Sequence, residues 1–172
     1  MTSSATDRKA EWASPVGVLT LVADDRNRLA RLEFPESPEA SGPTPTPTDQ
    51  IPAGVLTETV RQLDEYFAGS RREFELDLAP KGTAFQLAVW DALLAIPYGA
   101  TASYGEIARE IGRPNAVRAV GQANGRNPLA IVVPCHRVIG SDHSLTGYGG
   151  GIDRKRFLLA LEGAAITPTL DL

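Results

Sequence analysis

The 172-residue chain is poor in the residues that cross-link proteins or bind metals: it has one cysteine, Cys135, and two histidines, His136 and His143. A single thiol forms no internal disulfide, and one thiol with two imidazoles does not make an ordinary zinc site. No apolar run approaches the roughly 20 residues of a membrane helix. Residues 1–11 mix serine, threonine and charge without an apolar core, so no secretory leader is expected. An unpaired cysteine and no export signal point to the reducing cytoplasm. There are no internal repeats. A hydrophobic fraction of 42% supports a core, and the length suits one domain, or one domain with a small second lobe. Three readings of Cys135 are then open: a buried hydrophobic side chain, an inconsequential thiol, or a nucleophile. It sits in Pro134-Cys135-His136-Arg137, with a histidine directly after it.

The net charge of −4 is unfavourable for a nucleic-acid binder, but it is unevenly spread: residues 1–80 carry net −6 and residues 81–172 net +2. The stretch 103–137 holds five arginines (109, 113, 118, 126 and 137) against Glu106 and Glu110, net +3. Screening confines surface fields to about 8–10 Å, so a local basic face can meet phosphate on an acidic protein. A solvated surface is the plainer reading of the same charges.

Along the chain, the first dozen residues read as disordered. Residues 16–22 and 28–34 read as strands joined by the turn Asp24-Asp25-Arg26-Asn27, a hairpin. The span 35–52 has six prolines with Thr, Ser and Gly, which suits an exposed linker. Residues 55–67 carry apolar side chains at helical spacing, closed by Gly69. In 72–78, Phe74, Leu76 and Leu78 alternate with Glu73, Glu75 and Asp77, which predicts a strand. The expected fold is therefore α+β: a small antiparallel sheet with a helix over 1–80, then a mostly helical domain over 81–172, the change marked by Pro80-Lys81-Gly82. In the second domain Thr83 can cap a helix running to Ile96, which Pro97 ends.

Ser103-Tyr104-Gly105-Glu106 has the form of a capping box opening a helix over 104–111. Gly112 stops it, Pro114 suits the first turn of the next, and a second helix covers 115–124. Two short helices about a glycine-containing turn match a helix-turn-helix, a pattern also common in bundles. Ala116, Val117, Ala119, Val120, Gly121 and Ala123 leave the second helix few groups to read a major groove. A slim helix can approach a minor groove closely; the alternative is that small residues simply allow close helix packing. Arg118 is the exception on this helix, suited to a phosphate or to a hole in a base stack.

Residues 131–133 predict a short buried strand leading to Cys135. A thiol reacts as its thiolate, so its pKa must be lowered or a base supplied. His136 is adjacent in sequence, which does not itself prove contact. The carboxylate that could orient an imidazole is Glu162, which ends an apolar helix before Gly163. An acid there opposes the helix dipole, a placement that hints at a tertiary partner. A surface glutamate and a core cysteine remain the plain alternatives.

The segment Asn127-Pro128-Leu129-Ala130-Ile131-Val132-Val133-Pro134-Cys135-His136-Arg137-Val138-Ile139 resembles the signature of the O6-alkylguanine-DNA alkyltransferases, or methylated-DNA–protein-cysteine methyltransferases. The resemblance extends through Phe85-Gln86, Ile96-Pro97-Tyr98-Gly99, Ser103-Tyr104-Gly105, Ala116-Val117-Arg118-Ala119-Val120-Gly121, Gly147-Tyr148-Gly149-Gly150-Gly151 and Lys155 to Glu162-Gly163. It covers nearly all of 82–163; the N-terminal lobe resembles the family's RNase H-like lobe only in layout.

The resemblance implies direct repair of alkylated DNA in a single, protein-consuming transfer. Double-stranded DNA would be bound through its minor groove by the helix-turn-helix, with Ala116, Val117, Ala119, Gly121 and Gln122 at the contact. Arg118 would fill the gap left by the flipped base, and Tyr104 would aid rotation and hydrogen-bond the guanine O6. Cys135 would accept the alkyl group, with His136 as base through a water, Glu162 orienting it, Asn127 as hinge and Lys155 nearby. Val138, Tyr148 and Gly149 would line the base pocket, the Val138 and Cys135 carbonyls facing the exocyclic amine. No cofactor or metal is implied, the protein is expected to act as a monomer, and cooperativity on DNA is left open. The N-terminal Cys/His zinc site of some relatives is missing; Gly149 replaces their serine, and His143 takes a turn position often held by glycine. A helix-turn-helix protein that binds damage without chemistry, and a Cys-His-Glu hydrolase, are the alternative functions.

Overall fold

A computed structural model of the chain describes residues 8–35, 43–145 and 147–165. It divides into two compact units, one taking in the chain up to Lys81 together with Pro128–Ala130, the other Gly82–Asn127 and the chain from Ile131 onward.

The first unit holds a three-stranded antiparallel sheet in the order β1 (Arg8–Ser14), β2 (Gly17–Ala23), β3 (Leu29–Glu33). The β2–β3 hairpin follows the sequence pattern, with a bulge between Val22 and Ala23. Its turn is closed by Asp24, whose Oδ1 accepts from the Arg26 and Arg28 amides at 3.0 and 2.9 Å. β1 corrects the expectation of disorder over the first dozen residues, because residues 8–12 pair with β2 along their length; residues 1–7 lie outside the described residues. Ala10 and Glu11 are buried while Arg8 and Lys9 reach outward, so the polar composition hid a strand.

Helix α1 (Val55–Phe67) lays Leu56, Thr59, Leu63 and Tyr66 on one buried face. Fully burying one such apolar side chain is worth about 1.5–3 kcal/mol. Its start is fixed from outside: Asn27, itself at φ 60, accepts from the Val55 amide at 3.0 Å and from Arg8 Nη2 at 2.7 Å. Gly54 at φ 114 permits this approach, since a Cβ there would collide with Asn27 Oδ1.

The strand expected over 72–78 does not form. Leu78 makes a single parallel bridge to Leu29, and the Glu75 backbone is satisfied by Gln62, which donates to Glu75 O at 3.1 Å and accepts from its amide at 2.9 Å. Side-chain alternation survives, with Phe74 against Tyr66 at 5.4 Å, but without a ladder. Of the 35–52 loop, 36–42 lie outside the described residues. Thr46 edges β1, its amide donating to Glu11 O at 2.8 Å, and a 3-10 turn covers Thr48–Gln50.

The second unit is mostly helical. α2 (Ala84–Leu94) begins at Thr83, whose Oγ1 accepts from the Gln86 amide at 3.1 Å while Gln86 Oε1 accepts from the Thr83 amide at 2.9 Å. A short strand β4 (Ala102–Ser103) leads into α3 (Tyr104–Glu110), with Ser103 and Glu106 forming the same reciprocal box. α4 (Val117–Gly125) starts two residues later than its sequence pattern, with Pro114 in the preceding turn. β5 (Val138–Ile139) pairs in parallel with β4, and α5 (Ile152–Leu161) ends at Glu162. Residues 131–133 are buried as expected, but they form turns, not a strand. Ile131 sits at φ 71, a left-handed conformation that a β-branched residue adopts only when its surroundings impose it.

Candidate active site

Cys135 opens a one-turn 3-10 helix over Cys135–Arg137 that feeds directly into β5. The chain leaves the second unit at Asn127 and returns at Ile131. Asn127 closes this neck, its Nδ2 donating to Val133 O at 2.8 Å, and its side chain also hydrogen-bonds the Cys135 thiol. The sulfur lies 4.0 Å from the Tyr148 hydroxyl. Burial pushes the thiol pKa up, and the Asn127 and Tyr148 contacts and the Lys155 charge pull against that. The thiol therefore needs a base.

The neighbouring groups can supply one. His136 is fully buried, with Nε2 2.7 Å from Glu162 Oε2. Glu162 also accepts from Arg137, from Nε at 2.7 Å to Oε1 and from Nη2 at 3.1 Å to Oε2. Arg137 Nη1 donates to Ile96 O at 2.7 Å, and its guanidinium stands 5.8 Å from the Tyr98 ring centroid. A carboxylate can only accept, so His136 Nε2 carries the hydrogen and Nδ1 presents its lone pair. Burial pushes the imidazole pKa down, opposed by Glu162, and the lowered pKa leaves the ring neutral, with Nδ1 able to accept a proton. The tertiary partners of the acid at the end of α5 are thus His136 and Arg137. Arg137, counted in the sequence as surface charge, is buried, and its place directly after His136 was the one available signal.

Lys155, wholly buried on α5, donates from Nζ to Val138 O at 2.5 Å and lies 5.9 Å from the Tyr148 ring centroid. The Cys135 carbonyl accepts from Asn124 Nδ2 at 3.4 Å. The same carbonyl accepts from the Val138 amide, so both carbonyls expected to face a base amine are already engaged within the protein. Asn124, on the inner face of α4, was missed in the sequence because a polar residue beside the Gly125 stop reads as a helix end. Gly149 is exposed, beside Tyr148.

The outer face of α4 carries Val117, Arg118, Ala119 and Gln122, all exposed, while Val120, Ala123 and Asn124 turn inward. Tyr104, first residue of α3, lies over Gly121, its ring 3.8 Å from where a Cβ would stand. His143 is an exposed turn residue at φ 65, its amide donating to Gly140 O at 2.9 Å. Among the described residues no cluster of three or more His, Cys, Asp or Glu is arranged to hold a metal ion, and no helix is long and apolar enough to cross a membrane.

Two family models match the chain: the DNA binding domain of 6-O-methylguanine DNA methyltransferase over residues 84–164, and its ribonuclease-like domain over 8–80. The methylated-DNA–protein-cysteine methyltransferase of Mycobacterium tuberculosis is 54% identical over 151 residues, covering 87% of this chain and 88% of that protein. The protein of that name from Methanosarcina acetivorans is 47% identical over 156 residues, covering 90% and 97%. The crystal structure of Mycobacterium tuberculosis OGT in complex with DNA superposes with a TM-score of 0.77 at 53% identity, covering 89% of this chain and 91% of that one. With both domains matched and about half its residues shared with proteins of nearly the same extent, the chain belongs to the 6-O-methylguanine DNA methyltransferase family.

Proposed function

We propose that this protein repairs DNA by moving the alkyl group of O6-alkylguanine onto its own Cys135, as a methylated-DNA–protein-cysteine methyltransferase. The observation that carries the reading is a lone thiol set beside a buried His136–Glu162 pair at 2.7 Å, in a chain of this family. The Cys135 proton passes through a water to His136 Nδ1. The thiolate attacks the alkyl carbon in line, the S–C bond forms as the C–O6 bond breaks, and guanine leaves with the bonding pair. Tyr104 hydrogen-bonds O6 as charge develops there; a preorganised donor in comparable sites contributes about 2.7–4 kcal/mol. The thioether product has no hydrolysable bond, so each molecule acts once. Neither a metal nor an organic cofactor enters this balance.

The outward face of α4 docks in the minor groove of double-stranded DNA, where its small residues allow close approach and Arg118 takes the place of the rotated base. Val138, Tyr148 and Gly149 receive that base, Asn127 joins the recognition region to the nucleophile, and Lys155 fixes the Val138 carbonyl. Transfer belongs to residues 81–172, with 1–80 as the second lobe. The protein acts as a monomer in the cytoplasm, where a lone reactive thiol stays reduced.

Incubation with a duplex containing O6-methylguanine tests this directly. The intact mass should rise by one methylene, localised to the Cys135 peptide at one-to-one stoichiometry, and Cys135→Ala should bind the duplex without any mass change. An unchanged mass for the wild type would leave a damage-binding protein, and repeated turnover of an acyl substrate would point to a hydrolase.

A further inference from the structure

Two buried side-chain polar atoms near the nucleophile have no hydrogen-bond partner among the described residues: Asn124 Oδ1 and His136 Nδ1. Each belongs to a residue whose other polar atom is engaged. Asn124 Nδ2 donates to the Cys135 carbonyl, the residue directly before His136, and His136 Nε2 donates to Glu162. Neither orientation is reversible. A carbonyl can only accept, so the amide must present Nδ2 to it and direct Oδ1 elsewhere; a carboxylate can only accept, so the imidazole hydrogen must sit on Nε2. Both orphan atoms are therefore acceptors, and acceptors do not satisfy one another. Asn124 is 3% exposed and His136 0%, so bulk solvent does not serve them. A molecule with two hydrogens to give solves both, and a buried water with two to four polar partners is the ordinary solution.

We propose that Asn124 is a positioning residue of the transfer reaction: its Oδ1 and His136 Nδ1 hold one water between them, and the Cys135 proton reaches the imidazole through that water. The inference deepens the alkyl-transfer reading and rests on it. The water gives one hydrogen to Asn124 Oδ1 and one to His136 Nδ1, which leaves its lone pairs turned to the Cys135 S–H. The thiol proton moves to the water oxygen as the water's own proton moves to Nδ1. Sulfur keeps its electron pair, the water is regenerated, and a thiolate–imidazolium pair results. By fixing one hydrogen of the water, Asn124 aims the other at the base. The charged groups around His136 are Glu162 and Lys155 at or on α5, Arg137 on its own turn, and Cys135 itself once ionised. Asn124 comes from α4, so the relay also ties the recognition helix to the reactive sulfur.

Single-turnover transfer from an O6-methylguanine duplex, followed against pH, tests the relay. Asn124→Leu keeps the branched outline, with somewhat more bulk, and removes the Oδ1 acceptor together with the Nδ2 donor. Its transfer rate at neutral pH should fall about tenfold or more, with the pH midpoint of the rate moved up by about one unit and duplex affinity retained. A residue that merely packs would change the melting temperature and leave the midpoint in place; that result would overturn the proposal. Should the variant not fold, a high-resolution crystal structure of the wild type decides: an ordered water must lie within about 2.6–3.2 Å of both atoms, and two atoms too far apart for one water would refute the relay. His136→Asn separates the two levels of inference. If it transfers like wild type, the base reading itself fails; if it is crippled while Asn124→Leu keeps the wild-type profile, only the role of Asn124 falls.

Discussion

Lys155 shows at the scale of one residue how burial sets a titration. Its ammonium is wholly buried and bonded to Val138 O, and burial pushes its pKa down to about 8, opposed by the Cys135 thiolate. Below about pH 8 the folded and unfolded states both hold the proton, and folding carries the full burial penalty. Between about 8 and the ordinary lysine value of 10.5 the unfolded chain still holds a proton that the folded protein has released, so stability rises with pH across that window. At 1.36 kcal/mol per pKa unit the gain is roughly 3 kcal/mol. Wild type compared with Lys155→Met by urea unfolding should show a stability difference that shifts in favour of wild type by that order from pH 8 upward. A difference that stays constant with pH would mean that Lys155 titrates normally. A lysine in this segment was visible in the sequence only through its family position, because nothing local marks one helical lysine as buried. Cys135, His136 and Glu162 were more legible: rarity singled out the first two, and an acid on the wrong end of a helix dipole singled out the third. Asn124 carried no such signal and Arg137 only its place directly after His136, since their partners, the Cys135 carbonyl and the Glu162 carboxylate, are brought to them only by folding.

At the scale of elements, α3 has seven residues, too short to be stable alone, so its cap matters. Ser103 Oγ accepts from the Glu106 amide at 3.1 Å, and Glu106 returns a bond to the Ser103 amide at 2.7 Å. Ser103→Ala should cost about 1 kcal/mol, read as a fall of about 2–4 °C in melting temperature for a chain of this size. Because α3 carries Tyr104 against Gly121 of α4, duplex repair should slow as well; an unchanged melting point would show that the box contributes nothing. Both capping boxes were readable because they are local, four residues with side chain and backbone satisfying one another. The misread elements all depend on distant partners. Residues 8–12 become a strand because β2 offers them a ladder. The 72–78 segment fails to become one because Gln62 satisfies the Glu75 backbone from α1. Residues 131–133 have the apolar, β-branched composition of a strand but are folded into turns, with Ile131 held at positive φ and the Cys135 amide bonded to Val133 O at 2.8 Å.

For the whole molecule, an acidic protein must bind a polyanion, and the distribution of charge decides whether it can. Of the five arginines in 103–137, the structure buries Arg137 against Glu162 and leaves Arg109, Arg113, Arg118 and Arg126 exposed, facing solvent with Glu106 and Glu110. The usable surface excess in this stretch is therefore +2, one unit less than the sequence count. The remaining negative charge is felt at DNA only within a screening length of about 8–10 Å. If each exposed arginine neutralises at most one phosphate, the slope of log affinity against log salt is no steeper than about −4, since each contact contributes about −0.9. Duplex binding should then weaken by no more than about two orders of magnitude between 50 and 200 mM salt. Arg118→Ala separates charge from base replacement. As a phosphate contact alone it would reduce the slope by about one and weaken all duplexes equally. As the group that fills the vacated stack it should slow transfer from a duplex while leaving transfer from a single-stranded oligonucleotide near wild type, because no stacked partner has to be displaced there. Equal slowing on both substrates would remove Arg118 from base rotation, and a wild-type slope much steeper than −4 would bring cations outside this stretch into the contact.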